Sequence, residues 1–138
     1  MAFWLLKTEP GSYAFSDLEQ ERRAVWDGVA NNWALQHLRS MRPGDKAFIY
    51  HSGKERSIAG VAEIVSQPYP DPALKDPKRT VVDVVPVKTL SGSVTLEKIK
   101  ADPFFQDFML VKFTRLSVMP VDERIWQRIL EMEDSESI

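Results

Sequence analysis

The chain contains no cysteine. That inventory alone excludes disulfide bridges, Cys-ligated zinc, thiol catalysis, iron–sulfur ligation and the zinc-deaminase signature, which requires a Cys pair. Long apolar runs are missing as well. The opening residues, "MAFWLLKTEP", meet an acid and a proline before a hydrophobic segment develops, so they read as neither a leader nor a membrane span. The expectation is a cytoplasmic protein with no membrane attachment. The six glycines are scattered, and "RPGDK" fits neither the Walker nor the dinucleotide pattern, so a phosphate-cradling loop is not expected. His37 and His51 are the two histidines, and neither has a partner at metal-ligand spacing, so no metal or other cofactor is expected. His51 and Ser52 are strand neighbours whose side chains point to opposite faces, which disfavours a base–nucleophile pair and leaves no catalytic residue to name.

A basic excess is also lacking. The formal charge is −2, which argues against a bulk electrostatic grip on many phosphates. Charge is uneven, however. Arg39, Arg42, Lys46, Lys54 and Arg56 cluster mid-chain and offer a locally basic face, while Glu131, Glu133, Asp134 and Glu136 crowd the C-terminus.

What is present suits one small domain. With 138 residues, 43% of them hydrophobic, the chain can build a single core, expected over residues 1–133 with a frayed tail at 134–138. "AFWLLK" reads as a buried strand closed at Pro10-Gly11. Ser16 and Glu19 have capping-box spacing for a short helix. "RAVWDGV" is extended, and Asn31 or Asn32 caps a helix with Ala34, Leu38 and Met41 on one face. "DKAFIYHS" and "IAGVAEIVS" read as antiparallel neighbours, with Gly60 marking a bulge or a close backbone approach. The proline-rich "QPYPDPALKDPKR" is a surface loop, in which Tyr69 either covers a pocket or caps the sheet. "TVVDVVPV" is a strand, Thr95 caps "LEKIKAD", "LVKFTRLSVMPV" reads as a strand pair or one bent strand, and "DERIWQRILEM" closes the chain as a helix. About six strands and three or four short helices, without βαβ alternation, give an α+β protein built on a small curled sheet or barrel.

Four segments carry more when taken together: "FWLLKTEP", "WDGVANN", "FIYHSG" and "RLSVMPV", with "YPDP" between the last two. In this order and spacing the chain strongly resembles the EVE domain family. The family's Lys-Ser/Thr-Glu-Pro motif is matched by Lys7, Thr8, Glu9 and Pro10. Its Trp-Asp-Gly-Val-Arg-Asn-Tyr-Gln-Ala motif is matched at Trp26, Asp27, Gly28, Val29, Asn31 and Ala34, and departs at Ala30, Asn32 and Trp33. The resemblance implies a PUA-like fold, a small twisted β-barrel flanked by short helices and related to YTH and ASCH domains. It also implies recognition, without catalysis, of a modified base in DNA or RNA.

An extruded base needs an aromatic face to stack on and a few polar groups for its edge. Trp26, Asp27, Gly28 and Asn31 supply both kinds within six positions, although Asn31 competes as a helix cap. Lys7, Thr8 and Glu9, ending one strand, and His51 and Ser52, ending another, would close the same pocket if those ends converge. Arg39, Arg42, Lys54, Arg56 and Arg115 are the phosphate-contact candidates. Trp4 and Trp126 are read as core, and Trp33 as core or its rim. The expected partner is modified DNA or RNA, met by a monomer. The competing readings are an ASCH-like nuclease or amidohydrolase acting through Lys7, Thr8 and Glu9, and a protein-interaction adaptor with a vestigial pocket.

Overall fold

The computed structural model describes residues 1–136. Its elements run β1 (Phe3–Thr8), α1 (Phe15–Glu21), β2 (Ala24–Trp26), α2 (Asn32–Ser40), β3 (Lys46–His51), β4 (Ser57–Ile64), β5 (Tyr69–Pro70) and β6 (Thr80–Thr89). Then come α3 (Leu96–Ala101), a 3-10 turn over Pro103–Phe105, α4 (Met109–Lys112), β7 (Val118–Pro120) and α5 (Glu123–Glu136). The sheet order is β2-β6-β4-β3-β1-β7, with β5 added on β6. This is a curled half-barrel with helices around it, a PUA-like fold. The strand path ends at β2 and β7, so the sheet is curled rather than closed.

The core follows the apolar runs. Leu5, Leu6, Phe48, Ile49, Ile58 and Ile64 are fully buried. Trp126 of α5 stacks on Phe48 at 3.8 Å and on Phe3 at 4.6 Å between ring centroids, so the closing helix covers the sheet through aromatic contact. Trp4 is core, and its indole N–H donates to the buried Asp45 carboxylate at 3.0 Å. Asp45 also accepts from the backbone N–H groups of Ala2 and Arg42, tying the chain start to the turn before β3.

β1 and β3 lie parallel, with Thr8 opposite His51, and β1 pairs antiparallel with β7 through Trp4, Leu5 and Leu6. β3 and β4 are antiparallel, as expected, with a register shift after Ile49 where Gly60 lies opposite. The close approach at Gly60 is made by the Phe15 ring rather than by backbone, since a Cβ there would lie 2.6 Å from Phe15 Cε1.

Two local expectations are corrected, and a third lies partly outside the described residues. α1 is capped at Ala14, whose N–H donates to Asp17 Oδ2 at 2.8 Å, and Ser16 lies inside the helix. Docking of Phe15 sets this start: its ring meets Gly60 and its N–H donates to His51 Nε2 at 3.0 Å. The stretch "LVKFTRLSVMPV" forms α4 and a loop before the short β7, because the apolar residues from Phe105 to Leu110 dock as helical turns. A short apolar run carries no periodicity that separates these outcomes. α5 continues to Glu136, so the expected tail at 134–138 falls partly within a helix and otherwise outside the described residues. Thr95 and Asn31 cap α3 and α2, as their positions imply.

Candidate functional site

β2 runs along the sheet margin with Trp26 opposite Val82, and the chain then turns at Gly28, where φ is +81°. That left-handed conformation suits glycine, which has no Cβ to clash. Across from this turn lie the end of β1 and the start of β7. Between them opens a recess of about 400 Å³, lined by Trp26, Asp27, Gly28 and Val29 on one side and by Lys7, Thr8 and Ser117 on the other. Tyr13, Glu21, Ala24 and Val25 complete it. This volume lies within the usual range of small-ligand clefts.

Two aromatic rings shape the wall. Tyr13 and Trp26 meet edge to face, with centroids 6.1 Å apart and planes at 80°. Only 7% of Trp26 is exposed, so one limited part of its indole serves the recess while the rest packs inward. The Tyr13 hydroxyl is shut from solvent and no partner meets hydrogen-bond geometry. Burial, and then the charges of Glu21 and Asp17, push its pKa up to about 12. Glu21 holds the phenol protonated through its charge and a weak hydrogen bond. At neutral pH the recess contains a weakly held phenol O–H beside two carboxylates, Glu21 and Asp27.

The Tyr13 loop is fixed from below, because Thr8 Oγ1 donates to the Tyr13 carbonyl at 2.6 Å. Lys7 lies over the Tyr50 ring at 5.8 Å, and its Nζ donates to the Thr114 carbonyl at 3.0 Å. Burial lowers its pKa from the usual lysine value.

Of the residues expected to meet a base, Lys7, Thr8, Trp26, Asp27 and Gly28 line this recess, whereas Glu9, Asn31, His51 and Ser52 do not. The strand ends do converge, for Ser52 N–H donates to the Thr8 carbonyl at 2.9 Å. His51, however, turns inward. Its Nε2 accepts from Phe15 N–H, so Nδ1 carries the proton and faces Glu55 at 2.7 Å. Glu9 folds back to accept from Ser12 N–H at 3.1 Å, and Asn31 Oδ1 caps α2 by accepting from Ala34 N–H at 3.0 Å. Tyr69 does not cover the recess either, since its hydroxyl donates to Asp83 at 2.5 Å and pins its loop to β6. Tyr13, Glu21 and Ser117 went unnoticed in the sequence. Tyr13 follows the Lys-Thr-Glu-Pro motif by three residues, which is the one local signal that would have found it.

The basic candidates are engaged in different ways. Arg39 donates to the Lys78 carbonyl and ties α2 to the loop before β6, while Arg42 donates to the carbonyls of Arg39 and Met41 and serves the C-terminal end of α2. Lys54 and Arg56 sit on the β3–β4 turn, where Arg56 donates to the Gly53 carbonyl. Arg115 is exposed and, among the described residues, makes no ion pair or hydrogen bond. It lies two residues from Ser117, which makes it the basic candidate nearest the recess along the chain. Among the described residues no group of three or more His, Asp or Glu is placed to hold a metal ion, and no helix is long and apolar enough to cross a membrane.

The curled half-barrel with short helices around it is the fold of a PUA-like domain. The EVE domain model matches residues 2–132, and the chain belongs to the EVE domain family. Among curated proteins it is similar to mouse thymocyte nuclear protein 1, at 32% identity over 97% of this chain and 74% of that protein. Among solved structures it is similar to Rpa0253 from Rhodopseudomonas palustris, with a TM-score of 0.91 and 38% identity over 98% of this chain and 94% of that one. Human THYN1, solved in complex with 5-methylcytosine containing DNA, aligns with a TM-score of 0.86 and 30% identity over 96% of this chain and 98% of that one. An ASCH protein from Zymomonas mobilis shares the fold alone, with a TM-score of 0.60 and 8% identity over 94% of each chain.

Proposed function

We propose that the chain recognises a modified base extruded from DNA, without chemically changing it, and that the recess beside Trp26 holds the base. The observation that carries this reading is the recess itself, of a size for one base, in which the Trp26 indole and the Tyr13 ring stand beside two carboxylates. The Tyr13 hydroxyl is held only weakly by Glu21, so an acceptor on a base edge competes for it at little cost. Carboxylates accept well from the exocyclic amine of cytosine, so Glu21 and Asp27 suit a cytosine edge better than a thymine edge. That the related human protein was solved in complex with 5-methylcytosine containing DNA supports the same class of ligand. RNA carrying such a base presents the same edge and belongs to the test.

The Lys-Thr-Glu enzyme reading finds no support in this geometry. Lys7 and Thr8 both border the recess, but Glu9 turns away to the Ser12 N–H, so the three do not converge on one substrate.

The test is fluorescence anisotropy with DNA and RNA oligonucleotides that differ only in the modification of one cytosine. One buried methyl adds about 0.8 kcal/mol, so a preference of about four-fold is expected. Trp26→Phe is the better partner variant, since truncating so buried an indole to alanine would cost about 3–5 kcal/mol of stability and confound the result. Trp26→Phe should weaken binding several-fold while the protein stays folded. Equal binding of all modified and unmodified oligonucleotides would overturn the proposal.

A further inference from the structure

A second concavity of about 280 Å³ adjoins the recess, lined by Asn31, Trp33, Phe113, Thr114, Arg115 and Leu116. Its two aromatics are not core: Trp33 and Phe113 are each 40% exposed and meet edge to face at 4.9 Å and 80°. The indole is braced from behind by His37, whose ring lies 5.7 Å away and whose Nε2 is buried without a partner. Burial lowers the His37 pKa, so the ring beneath Trp33 is neutral at neutral pH. Trp33 stands at a position where the family motif commonly has Gln.

The two concavities share one partition. Lys7 and Ser117 line the recess, Thr114 to Leu116 line its neighbour, and Lys7 joins them by donating from Nζ to the Thr114 carbonyl and from its backbone N–H to the Ser117 carbonyl. On the other side the chain passes from Gly28 and Val29 in the recess to Asn31 and Trp33 in the second cleft within five residues. Arg115, a cation without a partner among the described residues, stands on the partition. An exposed ring pair, an unpaired guanidinium and continuity with a base-sized recess together select a nucleotide over an apolar peptide as occupant.

We propose that this second cleft is a stacking subsite for the base adjoining the recognised one on the same strand, with Arg115 on the phosphate nearby. The inference rests on the reading of the recess as a base pocket. Extruding one base leaves its neighbour without a stacking partner on that side. The Trp33–Phe113 pair offers a replacement π surface, and stacking of this kind is tolerant of base identity.

The experiment measures anisotropy of wild type, Trp33→Ala and Trp33→Phe on single-stranded oligonucleotides. The base on one side of the recognised cytosine, then on the other, is present or replaced by an abasic residue. On one side, removing the base should weaken wild-type binding about 5- to 150-fold. Trp33→Ala should produce a similar loss on the intact strand and no further loss on the abasic one, and Trp33→Phe should recover most of it. The modified-to-unmodified ratio should stay unchanged in Trp33→Ala. An equal loss on intact and abasic strands, or no loss, would overturn the subsite, and Trp33→Gln with a thermal melt guards against a folding defect. The flank dependence is also read on unmodified strands. A wild type without modified-base preference thus sinks the recess reading while the stacking cycle is still measured. Absence of any oligonucleotide binding sinks both.

Discussion

Tyr13→Phe should raise stability and lower affinity at once. The phenol hydroxyl is buried with only a weak bond to Glu21, while its ring packs edge to face on Trp26 at 6.1 Å. Phenylalanine keeps the ring contact and removes the weakly held group. An unsatisfied buried hydroxyl costs about 1–3 kcal/mol, part of which is recovered when it is deleted. With about 2.1 cal/mol/K of unfolding entropy per residue, 1 kcal/mol corresponds to about 3 °C for a chain of this length, so Tm should rise by about that amount. In the proposed binding mode the hydroxyl donates to the bound base. One neutral hydrogen bond contributes about 0.5–1.5 kcal/mol, so affinity for the modified oligonucleotide should fall about 2- to 12-fold. Calorimetry and anisotropy on the same preparation measure both. A Tm that falls by several degrees would mean that the fold itself satisfies the hydroxyl, and the case for a waiting donor would fail. Unchanged affinity would remove Tyr13 from the binding surface.

Gly60→Ala should destabilise by about 1–3 kcal/mol, because the added methyl would press on the buried Phe15 ring, which is held by the His51 hydrogen bond to Phe15 N–H. Urea unfolding checks this, and a change of a few tenths would show that Phe15 can yield. All three tyrosines titrate late: Tyr13 rises to about 12 through burial and nearby carboxylates, Tyr69 to about 12 through its hydrogen bond to Asp83 and then burial, and Tyr50 rises through burial against the opposing charge of Arg56. The fold favours the protonated phenols, so their contribution to stability is complete below the unfolded pKa of about 10 and is lost as pH climbs from there through 12. Phenolate absorbance should stay low near pH 10 and rise together with unfolding. A tyrosine that ionises at its ordinary pKa in the native protein would contradict this.

The strands were legible because their apolar runs are bounded by turn residues. β1, β3, β4 and β6 arise where Pro10-Gly11, Pro43-Gly44, the Gly53 turn and the proline-rich loop interrupt the sequence. The start of α1 and the conversion of "LVKF" to helix were not legible, since both depend on where Phe15, Phe105 and Phe108 find their pockets. The recess shows the same division. Trp26, Asp27 and Gly28 mark it locally, yet Tyr13 and Glu21 reach it only because α1 is laid against β6 with Phe15 on Gly60 of β4. Trp33, expected in the core or at its rim, instead lies 40% exposed against Phe113, a residue 80 positions away that no local pattern connects to it.

The four expected site residues outside the recess have a common physical explanation. Glu9, Asn31, His51 and Ser52 sit where strands or helices end, and free backbone donors concentrate there. Glu9, Asn31 and His51 accept from the N–H groups of Ser12, Ala34 and Phe15, while Ser52 gives its own N–H to Thr8. A polar group occupied in this way is a poor ligand contact, because a ligand would have to displace an internal bond. Tyr13 escapes that competition, for a rigid aromatic stem holds its hydroxyl away from the nearby backbone. Its placement still depends on those engaged residues. Tyr13 and Glu21 flank the two ends of α1, and the helix is located by Phe15 on Gly60 and by the His51 hydrogen bond. His51 and Gly60 therefore act as positioning residues: they touch no base, yet substitutions at either should shift the donor and carboxylate that the recess presents.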